Sequence, residues 1–164
     1  MPRPEQYRAL LPDGSPLLLR PPTLEEFEAL LPVPEEVKRY ANLTAYGPSA
    51  VPCESDAEDM MADMEDDEGV EARAWGIEAY GRMIGTVGTE RHEGERYPSL
   101  SIFVLDPAMW GRGIGRTASV VAAYDTFLAG HDVLESGAHP YNVASKRLHL
   151  GMGFVQMFEA KRVE

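Results

Sequence analysis

Cysteine is nearly missing from this chain of 164 residues. The one thiol, Cys53, has no internal partner, which excludes a disulfide framework and a cysteine-based zinc site. Long apolar runs are missing as well. The longest extend over a few residues, against the roughly 18–20 that a membrane-spanning helix needs. Bases are in the minority, 15 against 27 acids, giving a formal net charge of −12. A protein that tracks nucleic-acid phosphates normally carries a basic face, so nucleic acid is not an expected partner. Met1 to Gln6 holds no apolar stretch of the signal-peptide kind. Internal repeats and long linkers are absent. What is present is a hydrophobic fraction of 44%, enough for a packed core. The expectation is a single domain over residues 1–164, in a reducing compartment and most simply cytoplasmic. No membrane or metal partner is expected, and a homodimer is compatible with the sequence.

The negative charge is concentrated. Residues 54–71 hold ten acids and no base, so they account for ten of the twelve net charges and leave −2 for the rest. Ser55 and Glu58 form a capping box, and Ala57, Met60, Met61 and Met64 follow at i, i+3, i+4, i+7. This spacing predicts an amphipathic helix with an acidic outer face, ending at Gly69. The methionines read as its core side.

Elsewhere the elements are punctuated by proline and glycine. Pro16–Arg20 reads as a strand, and Thr23 with Glu26 caps a helix through Leu24, Phe27, Leu30 and Leu31. A short helix is expected over Glu35–Tyr40 and a loop over Asn42–Cys53. Ala74–Tyr80 and Met83–Glu90 read as strands around a Gly81-Arg82 turn, and Leu100–Leu105 as a buried third strand of the meander. Arg116–Leu128 is a predicted helix, Val133–Ser136 a strand, Asn142–Leu150 a helix capped by Asn142, and Phe154–Ala160 a last strand. Strands and helices mixed in this order make the fold α/β or α+β.

The sharpest segment runs from the buried strand into Trp110-Gly111-Arg112-Gly113-Ile114-Gly115-Arg116. Alternate glycines let the backbone turn its N–H groups inward, and the following helix start adds unpaired N–H groups with partial positive charge. Such a cradle suits a pyrophosphate. It is not a Walker loop, because no Lys-Ser/Thr follows the last glycine. The Gly-x-Gly-x-Gly spacing, late in a meander, is also a poor dinucleotide fingerprint. A second segment, Asn142-Val143-Ala144-Ser145 through His149 to Gly153-Phe154, follows a short strand.

Together the two segments resemble the GNAT superfamily of acyl-CoA-dependent N-acetyltransferases, whose pyrophosphate loop reads Gln/Arg-x-x-Gly-x-Gly/Ala and whose later helix reads Asn-x-x-Ser/Ala…Gly-Phe. Trp110 in the Gln/Arg position, and Leu19-Arg20-Pro21 before a capped helix, are similar to the ribosomal-protein N-acetyltransferase branch. The likeness extends from about Pro16 to Val163. It implies a mixed, mostly antiparallel sheet with helices on both faces, and acetyl-CoA as acyl donor. It also implies an amine acceptor, either a small cationic molecule or a protein N-terminus. By the same resemblance, Gly111, Arg112, Gly113, Ile114, Gly115 and Arg116 hold the CoA pyrophosphate. The main chain of Phe103, Val104 and Leu105 pairs with the pantetheine arm and offers an N–H to the thioester oxygen. Asn142 and Ser145 contact the cofactor from the other side.

Two positions depart from the family pattern. A tyrosine general acid is usual seven residues after the asparagine; here that residue is His149, which can donate a proton near neutral pH. Tyr141 is the alternative acid. The glutamate usual on the strand before the loop is also missing, and Glu90 is the best substitute as base, through water held by Ser101. Equally, the amine can lose its proton to solvent. These departures keep open a second function, a non-catalytic acyl-CoA sensor on the same fold. His92, His131, Cys53, Lys146 and Arg147 read as surface or turn residues.

Overall fold

A computed structural model describes residues 3–31, 33–37, 39, 57–62, 64, 69–138 and 142–157. Its centre is one six-stranded sheet in sequential order: β1 (Tyr7–Leu10), β2 (Pro16–Arg20), β3 (Val70–Ala79), β4 (Arg82–His92), β5 (Ser99–Val104) and β6 (Glu135–Ser136). The first five strands are antiparallel neighbours, and β6 joins β5 in parallel. The helices are α1 (Leu24–Ala29), α2 (Ala57–Ala62), α3 (Ile114–Leu128) and α4 (Val143–Gly151).

Alternation sets the core. Leu17 and Leu19 of β2, Trp75, Ile77 and Ala79 of β3, Val87 of β4 and Leu100 of β5 are all buried. They share one cluster with Ile114, Ala118 and Ala122, so α3 lies across this face on its small side chains. The sheet's other face carries Gly76, where a β-carbon would collide with Met83 and crowd Pro22, so the chain entering α1 lies tight there. Phe27, Leu31, Val33 and Ala57 form a second cluster, packed by Met61 and Met64 and by Leu105 beyond the end of β5.

The expected Thr23–Glu26 capping box is present in full, and β2 has its predicted bounds. The strand β1 was not expected. A buried charge network ties it to α3. Asp125 is fully buried, accepts a 2.6 Å hydrogen bond from Tyr7 Oη, and ion-pairs with Arg3 and Arg73. The hairpin turn is centred on Tyr80-Gly81 rather than Gly81-Arg82. Both residues have positive φ, 52° and 80°. The tyrosine is held there because its hydroxyl donates to Asp13 and its ring lies under Arg112. The strand expected over Phe154–Ala160 is irregular through Met157, and 158–160 lie outside the described residues. So do most of the expected acidic helix beyond Ala57–Ala62 and the whole 42–53 loop. Glu35–Val37 are helical, as expected for the short helix. No helix among the described residues is long and apolar enough to cross a membrane.

Candidate active site

β5 and β6 pair only at Ser99–Glu135 and Leu100–Ser136. Beyond that vertex they separate, and α4 packs outside the gap. The result is a cleft of about 760 Å³ between β5, the start of α3, and the β6–α4 segment.

The backbone phase of β5 decides which groups face this cleft. Leu105 N–H donates to Ile84 O (2.9 Å), so Phe103 and Leu105 direct their polar groups into the ladder with β4. The alternate residues, Ile102 and Val104, direct theirs into the gap, where no strand lies opposite. Trp110 Nε1–H donates to Val104 O (2.9 Å). Val104 N–H and both polar groups of Ile102 face the cleft without a strand partner. The main chain of Ile102 and Val104 therefore faces the cleft, and the backbones of Phe103 and Leu105 do not. Phe103 is nonetheless half-exposed and its residue lines the cleft. The approach of β4 to β5 requires glycine at Gly85, where a β-carbon would collide with Phe103 O. The pairing pattern skips Ile84 just before it, a β-bulge.

At the far end of the cleft, Asp106 caps a 3-10 turn at Pro107–Met109 and ion-pairs with Arg82. Gly111 and Gly113 follow in the left-handed region, φ 76° and 80°. Gly113 is the N-cap of α3 and makes no side-chain cap, so the first N–H groups of the helix are left for a ligand or solvent. A β-carbon on Gly113 would lie 2.8 Å from Pro12 Cγ, whereas Gly111 has open space. α3 thus begins at Ile114, two residues before the sequence expectation. Arg116 is exposed at the rim, and the Arg112 side chain stacks on Tyr80, 5.0 Å from its centroid.

The third wall holds the later motif. Asn142 Oδ1 accepts from Ser145 N–H (3.1 Å), capping α4 as predicted. His149, 8% exposed, lines the cleft with both ring nitrogens engaged. Nδ1 lies 2.6 Å from Ser145 O, and Nε2 lies 2.6 Å from Ser136 Oγ. Phe154 packs edge-on against the ring, 5.4 Å between centroids. Ser136 also donates to Leu100 O (3.2 Å). Sequence reading missed Ser136, which belongs to a two-residue strand and gains meaning only from the residues brought beside it.

Glu90 stands apart. It is exposed on β4, opposite Ser99, with His92 Nε2 at 3.6 Å, and does not line the cleft. Ser101 does line it. Tyr141 lies outside the described residues. Among the described residues that line the cleft, His149 and Arg116 are the only titratable groups. His131 is engaged elsewhere, 2.8 Å from Glu71, whose carboxyl is held below its ordinary range first by that hydrogen bond and then by Arg91. Among the described residues no cluster of three or more His, Cys, Asp or Glu is arranged to hold a metal.

Comparison with known proteins bears on the same cleft. The GNAT domain of S. lividans PAT superposes with a TM-score of 0.75 at 19% identity, covering 98% of this chain and 94% of that one. Mycobacterium smegmatis RimJ in complex with CoA-disulfide gives 0.67 at 16%, covering 93% and 76%. The aminoglycoside N-acetyltransferase AAC(6')-Iy in complex with CoA gives 0.60 at 20%, covering 94% and 98%. At these identities the likeness establishes the fold. No curated protein matches the sequence. The family profile "Acetyltransferase (GNAT) domain" matches residues 16–155, most of the chain. On that match, with the fold in agreement, the chain belongs to the GNAT acetyltransferase family.

Proposed function

We propose that this protein transfers the acetyl group of acetyl-CoA to a primary amine by direct attack within a ternary complex. One observation carries the reading. The sheet has an interior edge, the outward main chain of Ile102 and Val104, that leads from the vertex at Leu100–Ser136 to the uncapped start of α3. An extended arm bearing amides can pair with that edge as an added strand, while its anionic end meets the N–H groups of Ile114 and Gly115. The CoA-bound neighbours support the donor.

The chemistry needs three things of the chain. The tetrahedral oxygen needs a donor, and the edge offers the open N–H groups of Ile102 and Val104, with Ile102 the nearer to the vertex. The departing thiolate needs a proton, and His149 is the source of it in the cleft. The attacking amine must be neutral, and it loses its proton to water. The acceptor is a small cationic amine or a protein N-terminus. The acids of 54–71, of which Glu58 and Asp59 are exposed on α2, favour cationic acceptors by long-range attraction. AAC(6')-Iy has been solved with a bisubstrate analogue, CoA-S-monomethyl-acetylneamine, which supports an amine of this kind.

The test has two stages. Acetyl-CoA at millimolar concentration should raise the melting temperature by mass action. A panel of polyamines, aminoglycosides and short peptides with free N-termini should then release free CoA thiol with at least one member. Binding without release from any amine would make the protein an acyl-CoA sensor. Absence of binding would remove the donor assignment itself.

A further inference from the structure

We infer that Ser136, not His149, is the residue that hands the proton to the CoA sulfur, with His149 acting through it. The inference rests on the acetyl-CoA reading above and deepens it at one residue.

The argument begins with hydrogen counting. Ser145 O can only accept, so His149 Nδ1, 2.6 Å away, carries a hydrogen. Leu100 O can only accept, so its 3.2 Å contact with Ser136 Oγ is a hydrogen bond only when the one hydroxyl hydrogen points to it. That leaves the 2.6 Å contact between Ser136 Oγ and His149 Nε2 without a hydrogen unless Nε2 carries it. All three contacts are satisfied together only when the ring is an imidazolium. The chain of donors then runs one way: Nε2–H to Oγ, and O–H away from the ring to Leu100 O. In the neutral ring Ser136 must leave Leu100 O to donate to Nε2.

Position completes the argument. Nε2 faces Ser136, and the ring is fixed by Ser145 O on one side and Phe154 on the other. Ser136 sits at the vertex of the cleft, on the last paired rung of β5 and β6. From Val104 to Leu100 the edge of β5 spans about 13 Å at ~3.3 Å per residue. An arm entering at the α3 cradle and pairing along that edge brings its sulfur end to the vertex. There the hydroxyl of Ser136 is the terminal donor.

The step balances. The amine nitrogen forms a bond to the thioester carbon, and the C–S pair leaves on sulfur. The Ser136 hydroxyl proton moves to sulfur as the Nε2 proton moves to Oγ. His149 ends neutral, with Nδ1–H still on Ser145 O, and is reprotonated by water. Ser136 thus touches the reacting atoms, and His149 recharges it.

The test needs no acceptor. Side-chain ¹⁵N spectra of the histidines are recorded at fixed pH for the full chain alone, with CoA, and with desulfo-CoA, which lacks the sulfur. A CoA thiolate at the end of the relay favours the imidazolium. The His149 imidazolium-to-imidazole ratio should therefore rise about tenfold or more with CoA over desulfo-CoA. Ser136→Ala should abolish the difference while the amides of Gly111 to Gly115 still respond to both ligands. Ser136→Thr, which restores a hydroxyl, should bring it back. A CoA-specific response that survives in Ser136→Ala overturns the relay, because His149 then reaches sulfur without Ser136. No CoA-specific response in the wild type overturns it too, leaving the serine–histidine bond as packing. If neither ligand moves the glycine-loop amides, the donor assignment fails and the relay falls with it.

Discussion

Gly115→Ala should make the protein more stable and bind acetyl-CoA less well. Gly115 lies in the first turn of α3 with ordinary helical φ, so alanine suffers no backbone strain there. Its β-carbon would rest 3.7 Å from Leu148 Cδ2 and 3.9 Å from Ile102 Cγ1 and Val104 Cγ2, ordinary contact distances. Within a helix, replacing glycine by alanine is worth roughly 0.5–1 kcal/mol. For a domain of this size that is a rise of about 1–4 °C in melting temperature. The three neighbours that receive the methyl group are all cleft residues, one from α4 and two from the open edge of β5. The methyl fills space that a bound arm must share, and overpacking of this kind costs about 1–3 kcal/mol. The acetyl-CoA dissociation constant should then rise about 5- to 150-fold. Thermal unfolding without ligand and calorimetric titration of acetyl-CoA read the two effects separately. An alanine variant that is stabilised and binds as wild type would show that the arm does not pass between β5 and α4. A loss of stability would refute the packing argument itself.

Two further outcomes concern charge. Tyr7→Phe should destabilise the fold by about 1–3 kcal/mol in urea unfolding, because Asp125 stays buried with one donor fewer. The Tyr7 hydroxyl is pushed up to about 12 by burial and then by its bond to Asp125. Its contribution is therefore complete below ~10, where unfolded tyrosine begins to ionise, and is lost as pH rises from there toward the folded value of about 12. The variant should show a shallower alkaline limb, and an unchanged limb would refute this. At the acid end, the depressed Glu71 carboxyl contributes stability above the ordinary glutamate range, lost as pH falls through its lower folded value. Glu71→Gln should weaken the acid dependence of unfolding between those limits. Acid titration curves that superpose would leave the His131 and Arg91 contacts without energetic weight.

Sequence reading succeeded where a residue acts on its own neighbourhood. The Thr23–Glu26 box and the Asn142 cap bind backbone N–H groups three residues away, so composition and spacing suffice. The leucine run of Pro16–Arg20, ended by Pro21 and Pro22, and the glycine loop were legible for the same reason. It failed where distant chain supplies the partner. Tyr7–Leu10 offers an edge strand half open to solvent, and what holds it is Asp125 on α3, over a hundred residues later. Gly113 gives no capping side chain to mark the helix start; its backbone conformation does so. Val155 and Met157 promised a strand but remain exposed and irregular. Ser136 is the clearest case. A serine that follows a glutamate at the end of a short strand carries no signal until folding sets His149 against it.

The two rungs that join β6 to β5 set the stiffness of the molecule. Five strands and α3 share a continuous ladder and one core. The last leaf, β6 with α4, hangs on two residue pairs and on the packing of Leu134, Met152 and Phe154. Such a leaf opens as a sub-global unit well below the free energy of global unfolding. Its amides should exchange with deuterated solvent ahead of those in β3 and β4, and ligand that bridges both lips of the gap should slow them toward the rate of the core. The gap then works as a sprung clamp whose hinge is Leu100–Ser136: widening it breaks two rungs at the vertex while the five-strand ladder stays whole.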